Sequence, residues 1–322
     1  MKLLQRFLSF LFLLLIAPAV ALAQYPSQPI RLVVGFPPGT GPDIIARLLG
    51  QELSNILGQN VVVENRTGAG GQIAAQVVAH AKPDGYTLLL GEVGSLGIAP
   101  AAFTTLTYDP LKDFSSVTEA VRADFVLVVP TNSPHKSLED FVKAAKESGS
   151  RVNFATFGAA TPGHFGAELF AKSAGFNIEP IHYRSTGDAV TALISGDAQA
   201  GFLTTAMASQ QVAGGKMRAL ATSGTQRANT FPDFPTLVEA GYPDVVFSAW
   251  VSVMAPKGTP ADVIDTLQKA IAKALENPEL KKRLDELGFA PIASSPADMD
   301  KLMQTEIGRW KQIVQDTGFN AQ

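Results

Sequence analysis

The residues best placed to do chemistry lie in Gly35-Phe36-Pro37-Pro38-Gly39-Thr40-Gly41-Pro42-Asp43, where an apolar run breaks into a glycine- and proline-rich turn. Ile44, Ile45, Leu48, Leu49, Leu53, Ile56 and Leu57 follow at helical spacing. A buried strand, a tight turn and a helix N-terminus make an anion pocket. The first-turn N–H groups lack partners there, and the helix dipole favours negative charge. The chemistry this predicts is capture rather than reaction. Gly39, Thr40 and Gly41 offer amides or a hydroxyl, and Phe36 can cover an apolar part of a guest. Asp43 reads as the helix cap, because its carboxylate would repel an anion.

Comparable stretches recur. Gly91-Glu92-Val93-Gly94-Ser95 closes a strand, and Ser95 is a candidate donor. Glu92 disfavours a carboxylate or selects an amine or a protonated group, or else is a solvated loop acid. Further on, Phe157-Gly158-Ala159-Ala160-Thr161-Pro162-Gly163-His164 presents a second helix N-terminus. Phe157, Ala160, Thr161 and His164 are its candidate contacts. Arg184 and Thr186 follow in Tyr183-Arg184-Ser185-Thr186-Gly187-Asp188. A guanidinium can grip a carboxylate through two parallel hydrogen bonds, so Arg184 is the candidate charge partner. Surface pairing for Arg184, core packing for the two Phe and a structural hydrogen bond for His164 are the competing readings.

Positioning these loops takes a strand and a helix for each. Strand-like runs at 30–36, 60–65 and 87–92 alternate with helical patterns at 43–57 and 72–81. A second series has strands at 152–157, 178–183, 199–204 and 217–223, with helices at 162–174 and 187–195. Continuous β-branched and Leu runs between helices predict α/β architecture with parallel-rich sheets covered on both faces. Ser137, Thr161, Thr259 and Ser295 read as helix caps. Two long apolar runs, 115–130 and 245–255, read as crossings between lobes. They divide the chain into lobe one (24–125 and 250–322) and an inserted lobe two (126–249), with a ligand cleft between.

Residues 1–23 stand apart. Lys2 and Arg6 precede an apolar stretch, and Ala21-Leu22-Ala23 supplies small residues for cleavage after Ala23. This is the pattern of a secretory signal peptide, which places the mature chain in the periplasm. Its removal takes the formal charge from −3 to −5, a balance ill-suited to nucleic acid. With 0 Cys, disulfide and thiolate chemistry are excluded. The 4 His include no HExxH helix and no close pair in sequence, so no metal site is predicted.

The segments from Gly35 to Arg47 resemble the opening of the Bug-type extracytoplasmic solute receptors of tripartite tricarboxylate transporters. The resemblance continues through 57–66, Gly68-Ala69-Gly70-Gly71 and Pro83-Asp84-Gly85-Tyr86-Thr87-Leu88-Leu89. It recurs at Tyr108-Asp109-Pro110, Thr161-Pro162-Gly163-His164, His182-Tyr183-Arg184 and Phe234-Pro235-Thr236, and finally at 255–260. It implies a two-lobed type II periplasmic-binding-protein fold closing on a small carboxylate, often through bound waters. It also implies a monomer working with a large and a small membrane subunit, without cofactor or catalysis. Thr40, Pro42, Gly163 and Ser185 depart from the family's usual residues, which leaves the particular acid open.

Three rival functions frame this reading. Gly39-Thr40-Gly41 with Glu64 at the next strand end imitates a dinucleotide-binding fingerprint, but Ile44 stands at the third glycine position. No Gly-x-Ser-x-Gly elbow supports a hydrolase. A periplasmic sensor or adaptor for a signalling partner shares every feature of the transport receptor. One helix–anion contact is worth about 0.3–1 kcal/mol, or ~2 when partly buried. Micromolar binding needs about 8 kcal/mol, so several loops must act together.

Overall fold

The computed structural model describes residues 25–183 and 185–319, with the side chain of Thr186 left out; residues 1–23, which carry the predicted signal peptide, lie outside it. Strands β1 (Ile30–Val34), β2 (Val61–Asn65) and β3 (Thr87–Glu92) form a parallel set in the order β2-β1-β3. Leu32, Val33, Val34, Leu88, Leu89 and Leu90 are all buried, which explains why these strands read as unbroken apolar runs. Helices α1 (Gly41–Leu57) and α2 (Gln72–Ala79) are the crossovers, and a short α3 (Ala99–Ala102) follows β3.

β4 (Phe114–Pro130) then runs through both halves of the molecule. Lobe two continues with α4 (Leu138–Glu147), β5 (Val152–Thr156), α5 (Pro162–Ala174), β6 (Ile178–His182), α6 (Thr186–Ser195), β7 (Ala200–Thr204), α7 (Thr205–Ala213) and β8 (Met217–Thr222). The chain returns on β9 (Ser248–Pro256) and ends with α8 (Ala261–Leu275), α9 (Pro278–Glu286), the two-residue β10 (Ala290–Pro291) and α10 (Pro296–Thr317). β9 is antiparallel to both β3 and β4, whereas β5 is parallel to β6 and β7. Phe114 to Asp124 of β4 pair with β9, and Phe125 to Pro130 pair with β7 and β8. The sheet therefore changes partners between Asp124 and Phe125.

Helices cover both faces of the lobe-one sheet. Ile45, Leu49 and Leu53 of α1 and Val263, Leu267 and Ile271 of α8 pack with Leu32, Leu88 and Leu90. On the other face, Ala74, Ala75 and Val78 of α2 and Met299, Met303 and Trp310 of α10 pack with Val33 and Leu89. α10 also reaches lobe two. Trp310 lies 6.0 Å from Phe165, and Lys172 pairs with Asp316.

Most helix starts follow the expected chemistry. The hydroxyls of Ser137, Thr161, Ser185 and Ser295 accept amides three residues on. Thr259 is a correction: its hydroxyl donates to the Pro256 carbonyl at 2.8 Å, and Pro260 occupies the cap position of α8. Helix α7 was not legible in the sequence. Its buried residues are Thr205 and Ala208, so it has no stripe of large apolar side chains.

Candidate functional site

The strand registers bring two sets of loops together. The lobe-one parallel strands end at Val34, Asn65 and Glu92, and Glu92 lies opposite Val251, itself opposite Val121 of β4. Those of lobe two end at Thr156, His182 and Thr204, and Thr204 lies opposite Phe125 of β4. The C-terminal edges of both sheets thus meet β4 within four residues, roughly 13 Å at about 3.3 Å per residue. Ligands of open α/β sheets bind outside such strand ends.

In lobe one, three loops form one rim. A Cβ on Gly35 would sit 2.4 Å from the Gly71 Cα, so this approach requires glycine. Gly71 in turn abuts the Phe36 ring and Ser95. Asp43 is buried in the first turn of α1 and gathers that loop. Its carboxylate accepts from Nε and Nη2 of Arg47, both at 2.9 Å, from Asn65 Nδ2 at 2.8 Å and from the Gly39 amide at 2.8 Å. The Arg47 hydrogen bonds above all hold the Asp43 carboxyl down at about 2. Asn65 also donates to the Phe36 carbonyl at 2.9 Å.

This clasp changes the roles expected of single residues. Asp43 is not the cap residue itself: Thr40 holds that position without a side-chain cap bond, and Asp43 reaches back to Gly39 instead. The Gly39 amide is committed to Asp43. Both the amide and the hydroxyl of Thr40 are committed to the Pro37 carbonyl. Left without a described partner are the amides of Gly41 and Asp43, at the first turn of α1. Ser95 is buried in a wide π-type turn, Gly94–Ile98. Its hydroxyl donates to the Glu92 carbonyl at 3.3 Å, and its carbonyl accepts from Tyr108 at 2.6 Å. Glu64 is paired with Arg31 and Arg66, which removes the free ribose acid of the dinucleotide rival.

Among the described residues, the loop entering α5 is shaped by neutral groups. Ala160 stands at φ 54°, a left-handed conformation strained for any residue with a Cβ. Its amide donates to Nδ1 of His164 at 3.1 Å, so the imidazole is an acceptor there and carries its proton on Nε2. His164 is 3 % exposed, which makes it a strut of the loop. Burial first, then the neighbouring His182, pushes its pKa down to about 4. The two rings lie 4.6 Å apart edge to face, a pairing that sequence spacing hid. His182 Nδ1 shares a 2.6 Å hydrogen bond with Thr156. Among the described residues no cluster of three or more metal-ligating side chains occurs.

The Thr161 hydroxyl donates to the Gly158 carbonyl and accepts from the His164 amide. The amides of Thr161 and Gly163 have no described partner. Gly163 is buried against the Phe202 carbonyl and the Phe125 ring, and Phe157 is half-buried beside the loop. Ser185, the residue beside Arg184, spends its hydroxyl as the cap of α6. Thr186 is the first residue of that helix, and Arg184 lies outside the described residues. Glu92, which a loop reading left in solvent, is half-buried at the end of β3. Its Oε1 is shielded and has no hydrogen-bond partner among the described residues. Alternation after Leu88 and Leu90 was the signal that could have placed it inward.

A fold of two α/β lobes joined by crossing strands, with helix N-termini at facing sheet edges, defines a periplasmic-type solute-binding protein. The sequence profile described as "Tripartite tricarboxylate transporter family receptor" matches residues 45–319. The chain belongs to that family of Bug-type receptors. It is 35% identical over 306 residues to Protein BugT of Bordetella pertussis, covering 94% of this chain and 93% of that one. Among solved structures it is similar to Rpa4515 of R. palustris with adipate: 30% identity, TM-score 0.77, 92% of this chain and 99% of the other. It is also similar to MatC (Rpa3494) of Rhodopseudomonas palustris with bound malate: 32% identity, TM-score 0.73, 90% of this chain and 100% of the other.

Proposed function

We propose that this receptor captures a small organic carboxylate between its lobes and delivers it, in the periplasm, to the large and small membrane subunits of a tripartite transporter. The observation that carries this reading is the set of four unpartnered backbone amides, those of Gly41, Asp43, Thr161 and Gly163, at two helix N-termini on opposed rims. Such amides bind anions with little reorganisation. Adipate and malate, named for two relatives, are anions of suitable size. Lobe one is taken as 24–125 with 250–322 and lobe two as 126–249, close to where β4 changes partners. Arg184 is the proposed charge partner. No reaction is required of the site: the guest is held and released unchanged.

Export of the monomer rests on the 1–23 signal pattern with cleavage after Ala23. Among the described residues no helix is long and apolar enough to cross a membrane. A thermal-shift screen tests the ligand class, because a ligand that binds the folded state raises its midpoint. Di- and tricarboxylates and aromatic acids are compared with neutral sugars and with amines. Acids are expected to raise the midpoint, and a shift produced by sugars alone overturns the reading.

A further inference from the structure

We propose that Glu92 is the specificity-determining residue of the lobe-one rim, a carboxylic acid that donates a hydrogen bond to one oxygen of the captured anion. The inference rests on the carboxylate reading above and deepens it. Its first support is placement. Glu92 is the last residue of β3, in register with Val251. Leu88, Leu90, Val251 and Val253 all pack on the face covered by α1, and strand alternation puts Glu92 on that face too. It therefore emerges under the turn that enters α1, next to the Gly94–Ile98 turn whose Ser95 abuts Gly71.

The second support is the orphaned oxygen. Among the described residues four buried side-chain atoms lack a hydrogen-bond partner, and Glu92 Oε1 is the one that belongs to a carboxyl group. Buried polar groups are almost always satisfied, so an unpaired one asks what completes it. The surrounding charges do not. β9 has no titratable residue, and Arg31 of β1 is at the far end of its strand, paired with Glu64. On α1, Asp43 and Arg47 are closed on each other, and Glu52 accepts from Asn277. Glu306 of α10, which packs beside Gly97, is bound by Arg309 and Trp310, and Glu119 of β4 is bound by Arg122. Burial acts alone on Glu92 and pushes its pKa up to about 8.

An unpaired carboxylate in such a place gives up its charge by keeping its proton. It then has one O–H to donate, and an anionic guest supplies the acceptor, giving a short charge-assisted hydrogen bond. The other unpartnered groups of the rim are N–H donors, so every contact converges on an acceptor. An ionised Glu92 would select an ammonium group instead and would repel the acid.

The test measures calorimetric affinity for adipate, malate and a simple alkyl diamine from pH 6 to 10, in wild type, Glu92→Gln and Glu92→Ala. The wild type is expected to lose acid affinity above pH 8, approaching tenfold per pH unit as the proton leaves. Glu92→Gln keeps a neutral donor, so it should stay within about threefold of wild type at pH 6 and show no such loss. Glu92→Ala should be at least tenfold weaker than wild type at pH 6 and show no loss above pH 8. A glutamine variant as weak as the alanine variant, a flat wild-type profile, or diamine binding tighter than acid binding at pH 6 overturns the proposal. Infrared spectroscopy of the unliganded protein supplies an independent readout. The carboxylic-acid carbonyl band absent from Glu92→Gln should persist through neutral pH. If that band titrates near the ordinary glutamate range while acids still bind, Glu92's role fails and the receptor reading stands. If no acid binds at any pH, both fail.

Discussion

The loop entering α1 is pinned by full charges, whereas the loop entering α5 is pinned by a neutral ring. In lobe one, Asp43 draws Arg47, Asn65 and the Gly39 amide onto one buried carboxylate. In lobe two, His164 takes the Ala160 amide on Nδ1, and the loop accepts a left-handed alanine to bring it there. Different chemistry reaches the same end. In each lobe the side chains are spent on shaping the turn, and the amides left over belong to the first helical turn. Under the proposed function, a receptor built this way would hold its anion mainly with backbone dipoles that need no reorganisation, and its side chains would tune which anion fits.

The largest break in this comparison comes from the backbone approach that pins Gly35 to Gly71 in the lobe-one rim. Gly35→Ala places a Cβ against the Gly71 Cα, and a backbone atom cannot swing aside as a side-chain tip can. The expected cost is about 3 kcal/mol, the upper range of overpacking, with loss of ligand affinity as the rim splays. Chemical denaturation and calorimetry read the two effects. Gly41→Ala, where a Cβ would meet nothing within 4 Å, is the matched control and should leave stability nearly unchanged.

Much of this frame was legible in the sequence because it is local. β3 was expected at 87–92 and α5 at 162–174, and both are found there, since an unbroken apolar run and a Thr-Pro cap are short-range signals. What was not legible is which atoms remain free. Gly39 and Thr40 looked like donors, yet Asp43 and Pro37 take up their hydrogens. That clasp is completed by Asn65, 22 residues from Asp43. The pairing of His164 with His182 depends in the same way on β5 and β6 lying side by side. Glu92 differs: its inward direction followed from period-two alternation, but its place at a strand end made it resemble a loop acid. Helix α7 escaped because small residues carry little periodic signal.

A second test separates the two pins by acid. Both pinning groups have a folded pKa below the unfolded value, so each contributes stability above the unfolded pKa and loses it as pH falls to the folded one. For His164 that window runs from 6.5 down to about 4, and for Asp43 from 3.8 down to about 2. The lobe-two loop should therefore loosen first, at a cost of about 2–3 kcal/mol. Hydrogen exchange at 157–164 should accelerate between pH 6 and 4 while 36–47 stays protected until below pH 4. His164→Gln, which retains an acceptor without the titration, should remove the first step and leave the second. Simultaneous opening of both segments would dissolve the distinction between ionic and neutral pinning.

The smallest effect concerns the strain at Ala160. A left-handed alanine costs about 1 kcal/mol or more relative to its right-handed form, and glycine pays nothing for that geometry. Glycine loses more chain entropy on folding, so the two terms partly cancel. Ala160→Gly is expected to stabilise the unliganded protein by up to about 0.5–1 kcal/mol, a small rise in the thermal midpoint. Ligand affinity should move the other way, because a freer residue before Thr161 lets the adjoining amides wander in the open state. A destabilised variant would mean that the His164 hydrogen bond, and not the alanine's restricted backbone, sets the loop; unchanged affinity would mean that the loop needs no presetting to meet its anion.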